Sequence, residues 1–510
     1  MSGPDKGPVG IGGQLRPSDV ARVADGAPVR VDPGVRERLA AERAVVEEAL
    51  AGGVPVYGLN RGLGPLRDSQ IPDDREEEFQ RFVIASHAAA IGPPLPKRMA
   101  RAAILVRLAT LSRGGSGASL GLFNALVELL NRDVIPVIPA DGTISAGDLS
   151  QLAAIGQVLL GEGSAWIPGP DSPLPGAQAL RARGLAPLRL GPKDALALVA
   201  ANAVSIAAAA LLQQRAARAA LGADLVAALS FDALGANLSP LDSAALAARP
   251  LQGQQTSGRR LRAALAGGDL AQGKRPPSSI QDPISLRTVP QVHGALLDQL
   301  AALETAVAAE LASSPDNPYL DASRRAFVSN GNFSIVGLAI SLEALRVAFA
   351  HVAILAERRV ALQIKRLRSG VELAAQMAAA AAPGTFSVPF ILAQTASAEA
   401  ARITQAAAPV TLAGSPVGDG VEDHSSLAYS AAQLADHALD HLERLLAIEA
   451  LVAVGVIASE QGSPVLGGQV GALAEETRAA ADASASTAET VDRVVAALRT
   501  AAQNAADDDQ

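Results

Sequence analysis

The feature that most constrains this chain is a change of texture near Lys193. Beyond it, long runs rich in alanine and leucine carry few glycines or prolines: Asp194 to Ala227, Gly294 to Ser313, Asn332 to Lys365 and Ser426 to Ser459. Residues of this kind lose little side-chain freedom in a helix, and their apolar positions repeat at helical spacing. Before Lys193, Pro and Gly punctuate short apolar runs such as AGGVPVYGLNRGLGP, IGPPLPKR, VIPVIPADG and WIPGPDSPLPGA. Those are turn and loop signals. The expected fold is therefore mainly α, with a loop-rich N-terminal domain over residues 1–190 and a bundle of long helices over residues 191–510. Aromatics make up only 3% of the chain, which suits close helix packing better than a large sheet. Two loops interrupt the bundle, at Arg275 to Gln291 and Ala408 to Ser426, and loops held between rigid elements are where sites concentrate. The tail from Leu473 reads as helical, with a fraying acidic end.

Charge and composition exclude several function classes. The 43 Lys and Arg against 51 Asp and Glu give a net charge of −8, with no basic block to follow a phosphate backbone, so nucleic acid is not an expected partner. Cysteine is absent, which removes disulfides, thiolate nucleophiles and Cys-ligated zinc. The six histidines are scattered; His437 and His441 stand four apart but lack the Glu of a zinc-binding H-E-x-x-H, and read as a solvated helix face. No metal site is expected. The first residues, MSGPDKGPVGIGGQLRP, contain no apolar run of signal-peptide length. Of two uncharged stretches, Ala195 to Leu212 carries Asn202 and Ser205, and the other, near Leu373 to Ala398, is broken by prolines; both read as buried structure. A cytoplasmic protein without a membrane span is the expectation.

Chemistry-bearing residues fall in four separated segments. They are Val56-Tyr57-Gly58-Leu59-Asn60-Arg61-Gly62-Leu63-Gly64; Ser86-His87-Ala88-Ala89-Ala90-Ile91-Gly92; Gln281-Asp282-Pro283-Ile284-Ser285-Leu286-Arg287; and Asn330-Gly331-Asn332-Phe333, followed later by Glu422-Asp423-His424. In order and spacing these resemble Y-G-[IV]-N-T-G-F-G, S-H-A-A-G-V-G, Q-D-P-Y-S-L-R, G-G-N-F and E-D-H of the histidine and aromatic amino acid ammonia-lyases. The resemblance implies a helical homotetramer whose active sites are shared between subunits and act on a small carboxylate substrate. It implies that Tyr57, on its Gly-rich loop with Gly64, is the catalytic base, and a phenol serves so only if its pKa is pulled down. Arg287, beside Gln281, would clamp the substrate carboxylate with two parallel donors. Asn332 would bond near the substrate head group, and Ser86 with His87 would contact its side chain.

The same comparison marks departures. The family makes a methylidene-imidazolone electrophile from an internal Ala-Ser-Gly, and its Ser is indispensable. Here the segment runs Gly142-Thr143-Ile144-Ser145-Ala146-Gly147-Asp148, one residue short, with Ala146 before the Gly. A ring built on Ser145 would have to use Ile144, Ser145 and Ala146. The family's Asn beside the electrophile is Ala200; Asn202, two residues on, would face elsewhere on a continuous helix. Ile284 replaces a Tyr, and Arg402 falls where an ungapped alignment has a catalytic Glu, with Glu399 nearby. Arg402 would suit an additional acidic group on the ligand. The expected function is a lyase-family enzyme working on an amino acid or related acid by acid–base chemistry, with no methylidene-imidazolone and no other cofactor. The alternatives are a non-catalytic binding homologue and a conventional histidine-type ammonia-lyase.

Overall fold

A computed structural model describes residues 7–369, 388–460 and 464–508. It is mainly α-helical, as the residue pattern requires. The principal helices are Pro33–Ala51, Glu76–His87, Lys97–Ser112, Leu120–Asn131, Leu149–Leu159, Ala203–Leu234, Val289–Leu311, Val336–Arg368, Leu392–Ala406 and Ala428–Ser459. The tail forms two more, Gly468–Asp482 and Thr487–Asp508. Strands are short and pair in small sheets. Residues 373–387 of the second uncharged stretch lie outside the described residues. Among the described residues, two helical stretches are long and apolar enough to cross a membrane. The apolar window along Asp194–Leu234 is 94% buried within the molecule, that of Val336–Arg368 61%.

The run that reads as one helix from Asp194 is two. Helix Asp194–Val199 stops, Ala200 to Asn202 leave helical geometry, and helix Ala203–Leu234 begins. The break is stabilised by hydrogen bonds that a straight helix could not make: Asp148 N–H donates to the Ala201 carbonyl at 2.7 Å, and Asp148 Oδ2 accepts from Ser205 N–H at 2.8 Å.

The chain divides into two compact units, each returning along the sequence. The first comprises Met1–Gln214, Leu303–Leu342 and Pro409–Gln433; the second, Arg215–Ala302, Glu343–Ala408 and Leu434–Gln510. In the first unit, Val56 and Leu59 pack with Val45, Val46, Ala49 and Leu320, which seats the base of the Tyr57 loop on helix Pro33–Ala51. Beneath it, Arg107 is fully buried and pairs with Asp316 at 2.8 Å. Strand Ile91–Pro94 runs antiparallel to Pro139–Asp141, with Ile91 opposite Asp141, and so brings the residues after His87 beside those leading into Gly142.

In the second unit, small alanines let helices approach closely, and buried ions fix their register. Arg359 and Glu449 form a doubly bonded pair at 2.6 and 3.0 Å with neither side chain exposed, and Glu449 also accepts from Ser230 Oγ at 2.5 Å. Breaking such a pair by removing one partner costs about 3–5 kcal/mol. His437 is exposed, but His441 is not part of a solvated face. It is 6% exposed, and its Nδ1 lies 2.5 Å from Glu399 Oε2, because helix Leu392–Ala406 packs over that side of helix Ala428–Ser459. Among the described residues no group of three or more His, Asp and Glu side chains is arranged to hold a metal ion.

Candidate active site

Five loops of the first unit, with helices Glu76–His87 and Asp194–Val199, enclose a cavity of about 480 Å³. Its polar side chains are Tyr57, Ser86, His87, Asn317 and Glu422, and most of its remaining wall is apolar. The structure therefore brings together Tyr57, Gly64, Ser86, His87, Ala146 and Gly147 from separate segments. Gln281, Arg287 and Arg402 belong to the second unit and do not line this cavity. Gln281 is exposed; Arg402 is exposed on helix Leu392–Ala406. Arg287 ends the short helix Ile284–Arg287, where its Nε donates to the Asp282 carbonyl at 2.7 Å and fixes the direction of the guanidinium. Asn332 is exposed beside the cavity residue Phe333, and its backbone N–H donates to Asn330 Oδ1.

Tyr57 is held by its own loop. Gly64, at φ +54°, turns the chain back so that its N–H donates to the phenol oxygen at 3.0 Å. Gly58, at φ +70°, lies so close to Leu196 that a Cβ would collide with it at 2.2 Å. Burial pushes the phenol pKa up; the Gly64 N–H opposes this, nearby Glu422 adds a smaller rise, and Arg67 lowers it slightly. The lowered value a phenolate base needs is thus not supplied by this chain's surroundings alone.

His87 ends its helix with Nδ1 2.8 Å from the Val83 carbonyl. A carbonyl only accepts, so Nδ1 carries the proton in the neutral ring and Nε2 is the acceptor. Ser86 Oγ, 3.2 Å from Nδ1 and donating to the same carbonyl, braces this orientation. Burial raises the Glu422 pKa while the proximity of His87 opposes that rise. Glu422 is the carboxylate that lines the cavity, where Arg402 does not. The E-D-H match at 422–424 marked the segment but not its role.

The loop from Thr143 to Asp148 forms the floor. Ser145 adopts φ +57°, a left-handed conformation unfavourable for a residue with a Cβ. Three hydrogen bonds impose it: Ser145 N–H donates to Thr143 Oγ1 at 2.9 Å, Ser426 Oγ donates to the Ser145 carbonyl at 3.0 Å, and Tyr429 N–H donates to Ser145 Oγ at 3.0 Å. Ser145 is 1% exposed and lies behind the cavity, 3.0 Å from Ser205 Oγ, whereas Ala146 and Gly147 face it. Asp148 is wholly buried, and its carboxylate accepts from Thr143 Oγ1 and Ser205 Oγ, both at 2.8 Å; desolvation raises its pKa against those bonds.

Asn202 does not face elsewhere. The helix break turns it onto the floor, where Oδ1 accepts from Gly147 N–H at 2.9 Å and Nδ2 donates to the Phe333 carbonyl at 2.6 Å. A continuous helix would have carried it past both. With Ala200 it forms the junction of the Gly147 loop, the 200–202 break and Phe333.

The profile of the family described as aromatic amino acid lyase matches residues 15–489. The chain is 37% identical over 454 residues to a histidine ammonia-lyase of Anaeromyxobacter dehalogenans, covering 87% of this chain and 88% of that protein. Its fold is similar to that of histidine ammonia-lyase from Trypanosoma cruzi, with TM-score 0.84, 27% identity and coverage of 97% and 94%. It also resembles the ergothioneine-degrading enzyme ergothionase from Treponema denticola, solved with desmethyl-ergothioneine sulfonic acid, with TM-score 0.89, 24% identity and coverage of 97% and 99%. By sequence and by fold, the chain belongs to the aromatic amino acid lyase family.

Proposed function

We propose that this protein is a lyase that eliminates a group from an imidazole-bearing α-substituted carboxylate without a methylidene-imidazolone. The observation that carries this reading is the floor of the cavity. Ring closure requires a hydroxyl-bearing middle residue whose methylidene can reach the substrate. In the frame Ser145-Ala146-Gly147 that residue is Ala146, which has no hydroxyl to lose. In the frame Ile144-Ser145-Ala146 it is Ser145, whose Oγ is buried behind the cavity and engaged by Ser205 and Tyr429. Neither frame fits the family's electrophile.

The remaining residues suit proton abstraction and expulsion of a leaving group that needs no covalent activation. Tyr57 takes the β-proton, the electron pair forms the double bond, and the α-substituent departs with the electrons of its bond to carbon. His87 Nε2 and Ser86 bind the ring. The Q-D-P-x-S-L-R match implies that Arg287, which does not line this chain's cavity, takes the carboxylate from another subunit of the assembly. The imidazole assignment draws on the Ser86-His87 pair and on relatives named for histidine and ergothioneine.

Intact mass spectrometry tests the central claim. The expected mass is that of the unmodified chain; a deficit of two waters restores the conventional ammonia-lyase reading, under which free histidine is deaminated.

A further inference from the structure

Resting on the reading that Arg287 takes the substrate carboxylate, we infer that Asn237 is a positioning residue for that clamp. It ties the loop leading into helix Ile284–Arg287 to the end of helix Ala203–Leu234, and so sets the direction of the Arg287 guanidinium. Asn237 lies outside every segment whose motif resembles the family.

The loop has no packing of its own to hold it. From residue 271 to residue 281 no side chain is buried, and Ile280 is 95% exposed. Hydrogen bonds to one turn, residues 232–237, take the place of a core. Arg275 Nη2 donates to the Asp232 carbonyl at 2.6 Å, and Ser278 N–H donates to the Gly235 carbonyl at 2.7 Å. The approach is so close that a Cβ on Gly235 would come within 2.6 Å of Ser278 Oγ. Asn237 then makes two bonds: Nδ2 donates to the Ile280 carbonyl at 2.8 Å, and the backbone N–H donates to Asp282 Oδ2 at 2.6 Å. Its Oδ1 accepts from Ser239 N–H at 2.9 Å and from Ser239 Oγ at 2.7 Å, which fixes the orientation of the amide. Among the described residues, Asn237 is the one side chain of this turn that hydrogen-bonds to the loop.

Asp282 is where tether and clamp meet. It is 7% exposed; its carboxylate accepts the Asn237 N–H, and its carbonyl accepts from Arg287 Nε at 2.7 Å. Among the described residues Arg287 has no other side-chain hydrogen bond or ion pair, so its two terminal nitrogens remain for a ligand, an edge suited to both oxygens of a carboxylate. A second brace grips the same short helix. Arg359 Nη1 donates to the Ser285 carbonyl at 3.2 Å, and Arg359 is itself held by Glu449. The helix is thus fixed by a buried ion pair, and the loop before it by Asn237. A guanidinium swung by loosening of that loop keeps its charge but loses the paired alignment of its donors, so the loss falls on carboxylates.

The test uses the full-length protein and calorimetric binding of imidazole propionate, a carboxylate with no group to eliminate, beside its primary amide. Asn237→Ser keeps an acceptor for Ser239 and gives up the amide that reaches Ile280. The expected result is affinity for the acid lowered about fivefold, the scale of one internal hydrogen bond, with affinity for the amide within about twofold of wild type. In an Arg287→Met background the same substitution should change affinity for the acid by less than about twofold, because the two residues act through one contact. Ser239→Ala removes a bond of the turn but not the tether, and should bind both compounds like wild type. Equal weakening of acid and amide, or full weakening retained in the Arg287→Met background, reveals general loosening and overturns the inference. So does unchanged affinity for the acid in Asn237→Ser while Arg287→Met weakens it, an outcome that leaves the Arg287 reading standing. Acid affinity unaffected by Arg287→Met overturns that reading, and this inference with it.

Discussion

Asn202 is the residue on which the floor of the cavity depends, and its removal gives a calculable loss. Asn202 is 1% exposed and satisfies two backbone groups, Gly147 N–H at 2.9 Å and the Phe333 carbonyl at 2.6 Å. Asn202→Ala leaves both without a partner. Each stranded buried group costs about 1–3 kcal/mol, so a loss of about 2–6 kcal/mol is expected, the lower figure applying if water reaches the Phe333 carbonyl. Equilibrium urea unfolding followed by circular dichroism reads this as a lower midpoint at unchanged slope. Wild type and variant are compared at one protein concentration, because assembly makes the midpoint concentration-dependent. Hydrogen exchange localises the effect: Gly147 N–H should lose protection, whereas amides of the Arg359–Glu449 region should not. Asn202→Asp retains an acceptor for Gly147 and should preserve that protection better than Ala does. A midpoint shift worth less than about 0.5 kcal/mol, the range of ordinary surface substitutions, with Gly147 protection intact, would refute the role assigned to this side chain.

Tyr57→Phe should reduce turnover by about a hundredfold or more while leaving ligand binding nearly intact, the scale of a lost general base, as read by kcat beside calorimetric affinity. Arg287→Met should weaken binding of an acidic ligand by about 2–5 kcal/mol, with Lys only partly restoring it, because an ammonium cannot reproduce the guanidinium fork. Lys193 predicts a pH dependence. Burial holds its pKa at about 8 against an ordinary 10.5, so between those values the unfolded chain binds more protons than the folded one. Stability should therefore rise as pH increases from about 8 towards 10, and Lys193→Met should flatten that rise in urea titrations at stepped pH. The shared active site implied by the family resemblance predicts a homotetramer; light scattering that reports a stable monomer at micromolar concentration contradicts it.

The sequence by itself determined the helical class, because alanine and leucine at helical spacing after Lys193 favour helices almost independently of their surroundings. It also singled out four of the residues that line the cavity. Tyr57, Gly64, Ser86 and His87 sit in local motifs whose turns and helix end are set by nearby glycines and short-range hydrogen bonds. That Ala146 stands before Gly147 was equally plain, since it is a matter of which letter stands there.

What only the tertiary structure decided depends on contacts between distant segments. The break at Ala200 to Asn202 exists because Asp148 and Gly147, some fifty residues earlier, offer hydrogen bonds that outweigh three residues of helix. No local preference of Ala-Ala-Asn announces it. The side of the loop on which Ser145 lies is set by Ser426 and Tyr429, more than 280 residues away. Glu422 reaches the cavity by the return of Pro409–Gln433 to the first unit, and His441 is buried because another helix covers it. A linear pattern records what each segment prefers. Which buried groups find partners is settled only when the segments meet, and an unpaired buried polar group costs as much as the local preferences it overrides.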